Sequence, residues 1–489
     1  MRPRVGTGRH DSSAGAASRA ALEKAGRRRL VEDTAGGYRT GLDLLESVSG
    51  LAGAIQRAGP APRVGLWYWN SIAALEAHLA VESAGRTRVP VDPGAPASEV
   101  RAVFDAAGVE LVLSDRRHAE ELGGEVLVHD ARGTSDNTGP FRPVPYDPDR
   151  VHLLYPRMAA GGNLFAVPVS FANWDATMQV NENLYRSGAY GPGFGPGERF
   201  LTLQQMLHGT GFLGTFPFLL MGLPQVVVEQ FTAAAALDAV RRFEPTATFM
   251  VPGMVTRLAG EVAARGEDKG LSLRRLLYGG APFSPDEMRA AMGVLGQVLL
   301  QVYGRIEGGW PLAVLGQEEH RRIDAGDQAL GHSFGRPIDA AEVRLRRIEG
   351  EGSDVGELCV RSAMTVREYS DPDGWCALGD VVARDEHGYL RFLRRLDGMI
   401  NTGSYHVYPR EVEDAIRTLP AVRDVAVVGE PDPKWGQRVV AYVVADTEAR
   451  ASIESQLAAA LPERLARYKH PKEIHLVDSL SDLRAMGRQ

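Results

Sequence analysis

An α/β fold follows from the order of elements along the 489 residues. Three textures succeed one another: strands alternating with helices of 10–15 residues, then shorter antiparallel-looking strands, then a compact α+β unit. The first predicts βαβ units in mainly parallel sheets. It begins with "LDLLESVSGLAGAIQRAG", apolar at helical spacing and stopped by Gly59-Pro60. "RVGLWYW" is then a buried strand, "SIAALEAHLAVESAG" an amphipathic helix, and "VELVLSD", "EVLVHD" and "HLLYP" further strands. "PQVVVEQ", the helix "AAALDAVRRFE", "ATFMVP" and "LRRLLYGG" continue the series. The second texture starts after "GHSFGRPI", with "AEVRLRRIEG", "GELCVRS" and "GDVVARDEHGYLRFL" as strands. In the third, "YPREVEDAIRTL" is a helix whose Val412, Ile416 and Leu419 share a face, followed by "VRDVAVVGE", "RVVAYVVA" and "SIESQLAAALPERLARY". The domain reading is a loose tail over 1–34, a large body over 35–394 and a small unit over 395–489.

Composition excludes several classes. A net charge of −7 over this length gives no reason to expect nucleic acid or an anionic membrane as partner. Two cysteines, Cys359 and Cys376, cannot make a disulfide scaffold or a cysteine zinc site. The basic, Ser/Ala-rich first thirty residues lack the apolar core of a secretory signal. Phe212–Val228 is apolar, but Gly214, Pro217, Gly222 and Pro224 break it, so no membrane span is expected and the chain reads as cytoplasmic.

The stretch "YPRMAAGGNLFAVPVSFAN" (155–173) has the outline of a phosphate-gripping loop between apolar runs, yet holds no lysine and no Ser or Thr before Ser170. Other motifs lie far apart. "LYGGAPFSPDEMRA" places two glycines after a strand, where backbone approaches a flat ligand closely. "QVYGRIEGG" offers an aromatic, a glycine and Glu307, and "DGWCALGD" ends at Asp380, a carboxylate suited to a ribose diol. "GYLRFLRRLDGMINTGSYHVYPREVE" follows.

In this order and spacing these stretches resemble the adenylate-forming superfamily of acyl-CoA synthetases, AMP-dependent ligases and adenylation domains, over roughly 35–489. The resemblance implies a mobile C-terminal lid over the site. It implies joining of a small carboxylic acid to AMP with loss of pyrophosphate, then transfer to CoA, a carrier thiol or an amine. ATP/AMP, Mg²⁺, and CoA or phosphopantetheine are the implied cofactors, and a carrier protein is an implied partner. By the same resemblance Gly279, Gly280, Ala281 and Pro282 would line the adenine and acyl side. Tyr303 would stack on adenine beside Gly304, Asp380 would bind ribose, and Arg395 would reach ribose or phosphate. Glu307 would hold the metal, His208 would sit by the acyl carboxylate, Asp397 at the hinge and Gly403 at the acceptor channel.

Three departures fall on the phosphate side. Arg157, Met158, Ala159, Ala160, Gly161 and Gly162 occupy the hydroxyl-rich half of the family's loop, with Phe165 near its lysine. Arg157 and the Gly161-Gly162 amides are candidate replacement donors. Ile306 stands for a threonine, and Arg488 for the C-terminal catalytic lysine. Charge-assisted donors contribute about 1.5–3 kcal/mol each. The sequence therefore leaves three readings: a ligase with a remodelled loop, a catalytically impaired relative that binds an adenylate, acyl ligand or partner protein, and an altered chemistry suited to specialised metabolism.

Overall fold

A computed structural model describes residues 13–124, 126–130, 141–158, 164–266, 270–396, 398–403, 405–432, 435–446, 450 and 452–480. Two sheets form the body. In the wider, nine-stranded sheet, six parallel strands run side by side through Arg29–Asp33, Gln225–Val227, Phe200–Thr202, Ala247–Met250, Arg275–Tyr278 and Leu299–Arg305. Antiparallel strands finish both sides, ending at Tyr38–Thr40 and Arg336–Pro337. The second sheet has six strands and runs from Leu127–Val128 through Arg63–Trp67 and Thr87–Pro90 to the hairpin Val151–Met158/Leu164–Ser170.

Helix Ile72–Ser83 is the wedge between them. Every one of its residues is buried, and it touches strands of both sheets. It therefore has no exposed face, where the sequence suggested an amphipathic one, and the Ser71 hydroxyl caps it by accepting from the Ala74 amide at 3.0 Å. It carries His78 and Glu82 into the core beside Arg88, whose guanidinium lies 4.6 Å from the Trp174 ring.

A four-stranded antiparallel sheet follows, with strands Glu342–Arg347, Val355–Arg361, Cys376–Arg384 and Leu390–Arg395. Both cysteines are buried in it as free thiols. The C-terminal unit has its own five-stranded sheet and its own core, into which Val412 and Ile416 project with Leu419 packed alongside. No helix among the described residues is long and apolar enough to cross a membrane.

The loose-tail reading is corrected over 13–34. Ala16–Ala25 is a helix with Leu22 fully buried, and Arg29–Asp33 joins the wide sheet beside Gln225–Val227. Small alanines let this helix pack closely, a property that a basic, Ser/Ala-rich composition conceals. Residues 1–12 lie outside the described set.

Glu198 is fully buried and takes Arg275 at 2.8 Å and Arg274 at 2.9 Å. Removing one partner of a buried pair leaves an uncompensated charge. Glu198→Ala is expected to cost about 3–5 kcal/mol, read as a lowered urea midpoint; an unchanged midpoint contradicts the assignment.

Burial depresses the imidazoles of His78 and His152 well below their usual range, and that of His320 to about 4. The native state holds these rings neutral, whereas the unfolded chain protonates them near 6.5. Their stabilising contribution is whole above that pH and is lost as pH falls toward the native values. His320 alone accounts for about 2 kcal/mol at pH 5. His320→Gln should therefore flatten the loss of unfolding free energy between pH 7.5 and 5; an identical slope in the variant refutes the account.

Candidate active site

A cavity of about 220 Å³ opens where the carboxyl ends of parallel strands from both sheets meet the C-terminal unit. Such ends are where open α/β sheets bind ligands. Pro90 and Tyr155 come from the six-stranded sheet, Phe249 and Val302 from the nine-stranded one, and Tyr405 and Lys469 from the C-terminal unit.

Glycines bring backbone close at its edge. A Cβ on Gly279 would fall 2.2 Å from the Val302 carbonyl oxygen, and Gly280 holds φ +83°. Gly280 and Gly304 both line the cavity. Ala281 is partly buried beyond Gly280, and Pro282 is exposed toward Gly436. Asn401 Nδ2 donates to the Gly280 carbonyl at 2.6 Å, tying the C-terminal unit to this edge.

Tyr303, Asp380 and Arg395 form one cluster behind Gly304. Asp380 is buried, accepts from the Tyr303 hydroxyl, and pairs with Arg395 Nη1 at 2.6 Å. Burial and the adjacent carboxylate push the Tyr303 hydroxyl well above its usual range. One face of the ring stacks on Phe334 at 4.1 Å, so any adenine has to use the other. Glu307 lines the cavity, with Arg305 Nη2 at 3.4 Å. His208 precedes helix Gly209–Leu220; its carbonyl accepts the Gly211 and Phe212 amides, and its ring meets Tyr405 edge-on at 5.2 Å.

Ser170 serves as a helix N-cap: its hydroxyl accepts the Asn173 amide at 3.2 Å and donates to Asn173 Oδ1 at 2.9 Å. That box explains a hydroxyl at this position without a phosphate. Gly403 holds φ +63° against the Trp435 ring, two residues before Tyr405, which lines the cavity. Arg157 pairs with Phe165 through the hairpin register, but its side chain lies outside what is described, as do Gly161, Gly162, Asp397 and Arg488.

Sequence reasoning missed Arg305 and the cluster around Lys469. The Lys469 ammonium is buried between Glu99 Oε1 at 2.5 Å and Glu411 Oε1 at 2.6 Å. Burial alone would lower its pKa, but Tyr468 and the two carboxylates outweigh this and hold it charged. Tyr468 in turn stacks on Tyr405 at 4.1 Å. The signal in sequence was faint: one lysine beside a tyrosine in "ARYKHP", in a segment otherwise read as helix.

Fold and site together are those of a two-domain, nucleotide-dependent acid-activating enzyme. The chain belongs to the AMP-binding enzyme family, whose pattern matches residues 18–152 and 166–370; that of the AMP-binding enzyme C-terminal domain matches 411–485. The break at 153–165 coincides with the loop that lacks Ser, Thr and Lys. A feruloyl-CoA synthase of Amycolatopsis sp. is 30% identical over 90% of each chain. A medium/long-chain-fatty-acid–CoA ligase of Mycobacterium tuberculosis is 31% identical over 58% of this chain and about half (51%) of its own. The solved structure of an amide bond synthetase from Marinactinospora thermotolerans superposes with TM-score 0.80 at 28% identity, over 95% of this chain and 96% of that one.

Lys469→Met leaves Glu99 and Glu411 facing each other without a cation. The expected cost is about 3–5 kcal/mol, seen as a lower Tm, with Glu99→Gln milder because Lys469 keeps Glu411. Equal Tm values for wild type and Lys469→Met contradict the clamp.

Proposed function

We propose that the chain is an AMP-forming acid ligase. It joins a small carboxylic acid to AMP, releases pyrophosphate, and passes the acyl group to CoA, a carrier thiol or an amine. The observation that carries this is a cavity with walls from both family domains, edged by Gly280 and Gly304 and backed by the Asp380 cluster. In this reading Tyr303 and Asp380 grip the nucleoside, Arg395 orients Asp380, and His208 sits by the acyl carboxylate. The unit from 395 onward is the moving lid, with Asp397 as hinge. Gly403 borders the acceptor channel, and Arg488 supplies the lid's charge.

The acyl end is walled by Trp310, Phe249 and Leu213, with Gly209 against the indole. The flat faces of Trp310 and Phe249 suit a modest aromatic or short aliphatic acid better than a long chain. Magnesium is held by one or two carboxylates plus phosphate oxygens. Among the described residues no group of three or more His, Cys, Asp or Glu is arranged for a metal, so Glu307 would hold Mg²⁺ only together with nucleotide phosphates. When bound, the ion supplies charge neutralisation at the phosphates.

The family match breaks over 153–165, and that observation favours a second reading. An adenylate-binding relative with a slow or lost first half-reaction would keep the nucleoside grip without donors for the departing pyrophosphate.

Pyrophosphate release with ATP, Mg²⁺ and a panel of aromatic and short aliphatic acids tests the choice. Release that depends on the added acid is the expected result. Tight AMP binding with no release for any acid would select the second reading instead.

A further inference from the structure

We infer that Arg305 is the phosphoryl-binding residue of this site, taking the α-phosphoryl group of the nucleotide in place of the hydroxyl donor lost at Ile306. The inference rests on the nucleotide reading of the cavity proposed above.

Arg305 ends strand Leu299–Arg305, opposite Gly309, where the register shifts after Tyr303. Such a bulge re-aims a side chain. Tyr303 turns to Phe334 and Asp380, while Arg305 lines the cavity. The Arg305 side chain is 9% exposed, so little of it meets water. Its carboxylate contact, Glu307 at 3.4 Å, is long for a charge-assisted bond, and its Nε–H has no hydrogen-bond partner among the described residues. A buried donor without an acceptor is costly. A permanent cation in this condition is poised for an oxyanion.

Elimination points the same way. Among the described residues lining the cavity the permanent cations are Arg305 and Lys469, and Lys469 is spent between Glu99 and Glu411. Asp380 is paired with Arg395. Glu307, the proposed metal ligand, lies 3.4 Å from Arg305, and Tyr303, the proposed adenine partner, is two residues before it on the same strand. A nucleotide spanning both puts its first phosphoryl group there. The planar fork of arginine matches phosphate in two parallel bonds, which a single hydroxyl cannot do.

A carboxylate of the acid substrate is the competing anion, and the test separates the two. Wild type, Arg305→Gln and Arg305→Lys full-length proteins are titrated calorimetrically with AMP, with adenosine and with benzoate. Wild type should bind AMP about 10- to 100-fold more tightly than adenosine. Arg305→Gln should bring that ratio close to one while adenosine affinity stays within about twofold. Arg305→Lys should retain part of the ratio, and if only this variant melts cooperatively, a ratio equal to that of wild type overturns the proposal. A parallel fall for AMP and adenosine makes Arg305 structural and also overturns it. So does an unchanged ratio with weakened benzoate binding, which assigns the guanidinium to the acid. Wild type binding neither AMP nor adenosine is the separate pattern that removes the nucleotide reading itself.

Discussion

Asp380 is the constraint on which the site depends. It sits in the four-stranded sheet, faces its cross-strand neighbour Arg395, and receives the hydroxyl of Tyr303 from the nine-stranded sheet. A buried carboxylate is tolerable only when its lone pairs are satisfied. The two sheets share an apolar core through Leu312, Leu358 and Val360, and the requirement of this one side chain adds a directional tie between them. The glycine edge at 279–280 and 304 inherits its position from that junction, because Gly279 lies against the strand that carries Tyr303.

Charge inside the molecule is handled by local neutralisation. Glu198 has its two arginines and Lys469 its two glutamates, and three histidines are held uncharged. Buried ion pairs add little net stability over apolar packing, but they penalise any arrangement that separates them. In this chain they lie at junctions: Glu198 between strand ends of the wide sheet, and Lys469 between the body and the C-terminal unit.

Much of this was legible in sequence because it rests on period and order. Alternating strand and helix patterns gave the parallel sheets, and the shared face of Val412, Ile416 and Leu419 is the face that packs in the C-terminal core. The glycines at 279–280 stood out because the first lies against the Val302 carbonyl, where no side chain fits, and the second holds a positive φ. What stayed hidden depends on distance or on local competition. Lys469 meets Glu99 across a separation of 370 residues, and no spacing rule reaches that far. Ser170 looked like a loop hydroxyl until its cap with Asn173 was seen. The helix Ala16–Ala25 was masked by a composition shared with unstructured tails. Arg305 sat in a recognised motif, but its burial and its bulge are tertiary facts.

The way the two large sheets end has a consequence for how this protein behaves among copies of itself. A wide sheet with a long bare margin is a template on which another chain can add strands and aggregate. Here the margins are strands of two or three residues at Tyr38–Thr40, Arg336–Pro337 and Leu127–Val128, and the remaining one, Leu164–Ser170, contains Pro168. Proline offers no amide hydrogen to an incoming strand, and two residues offer too few bonds to hold one. Extensive sheet structure is thus combined with borders that give a neighbouring molecule little to grow from.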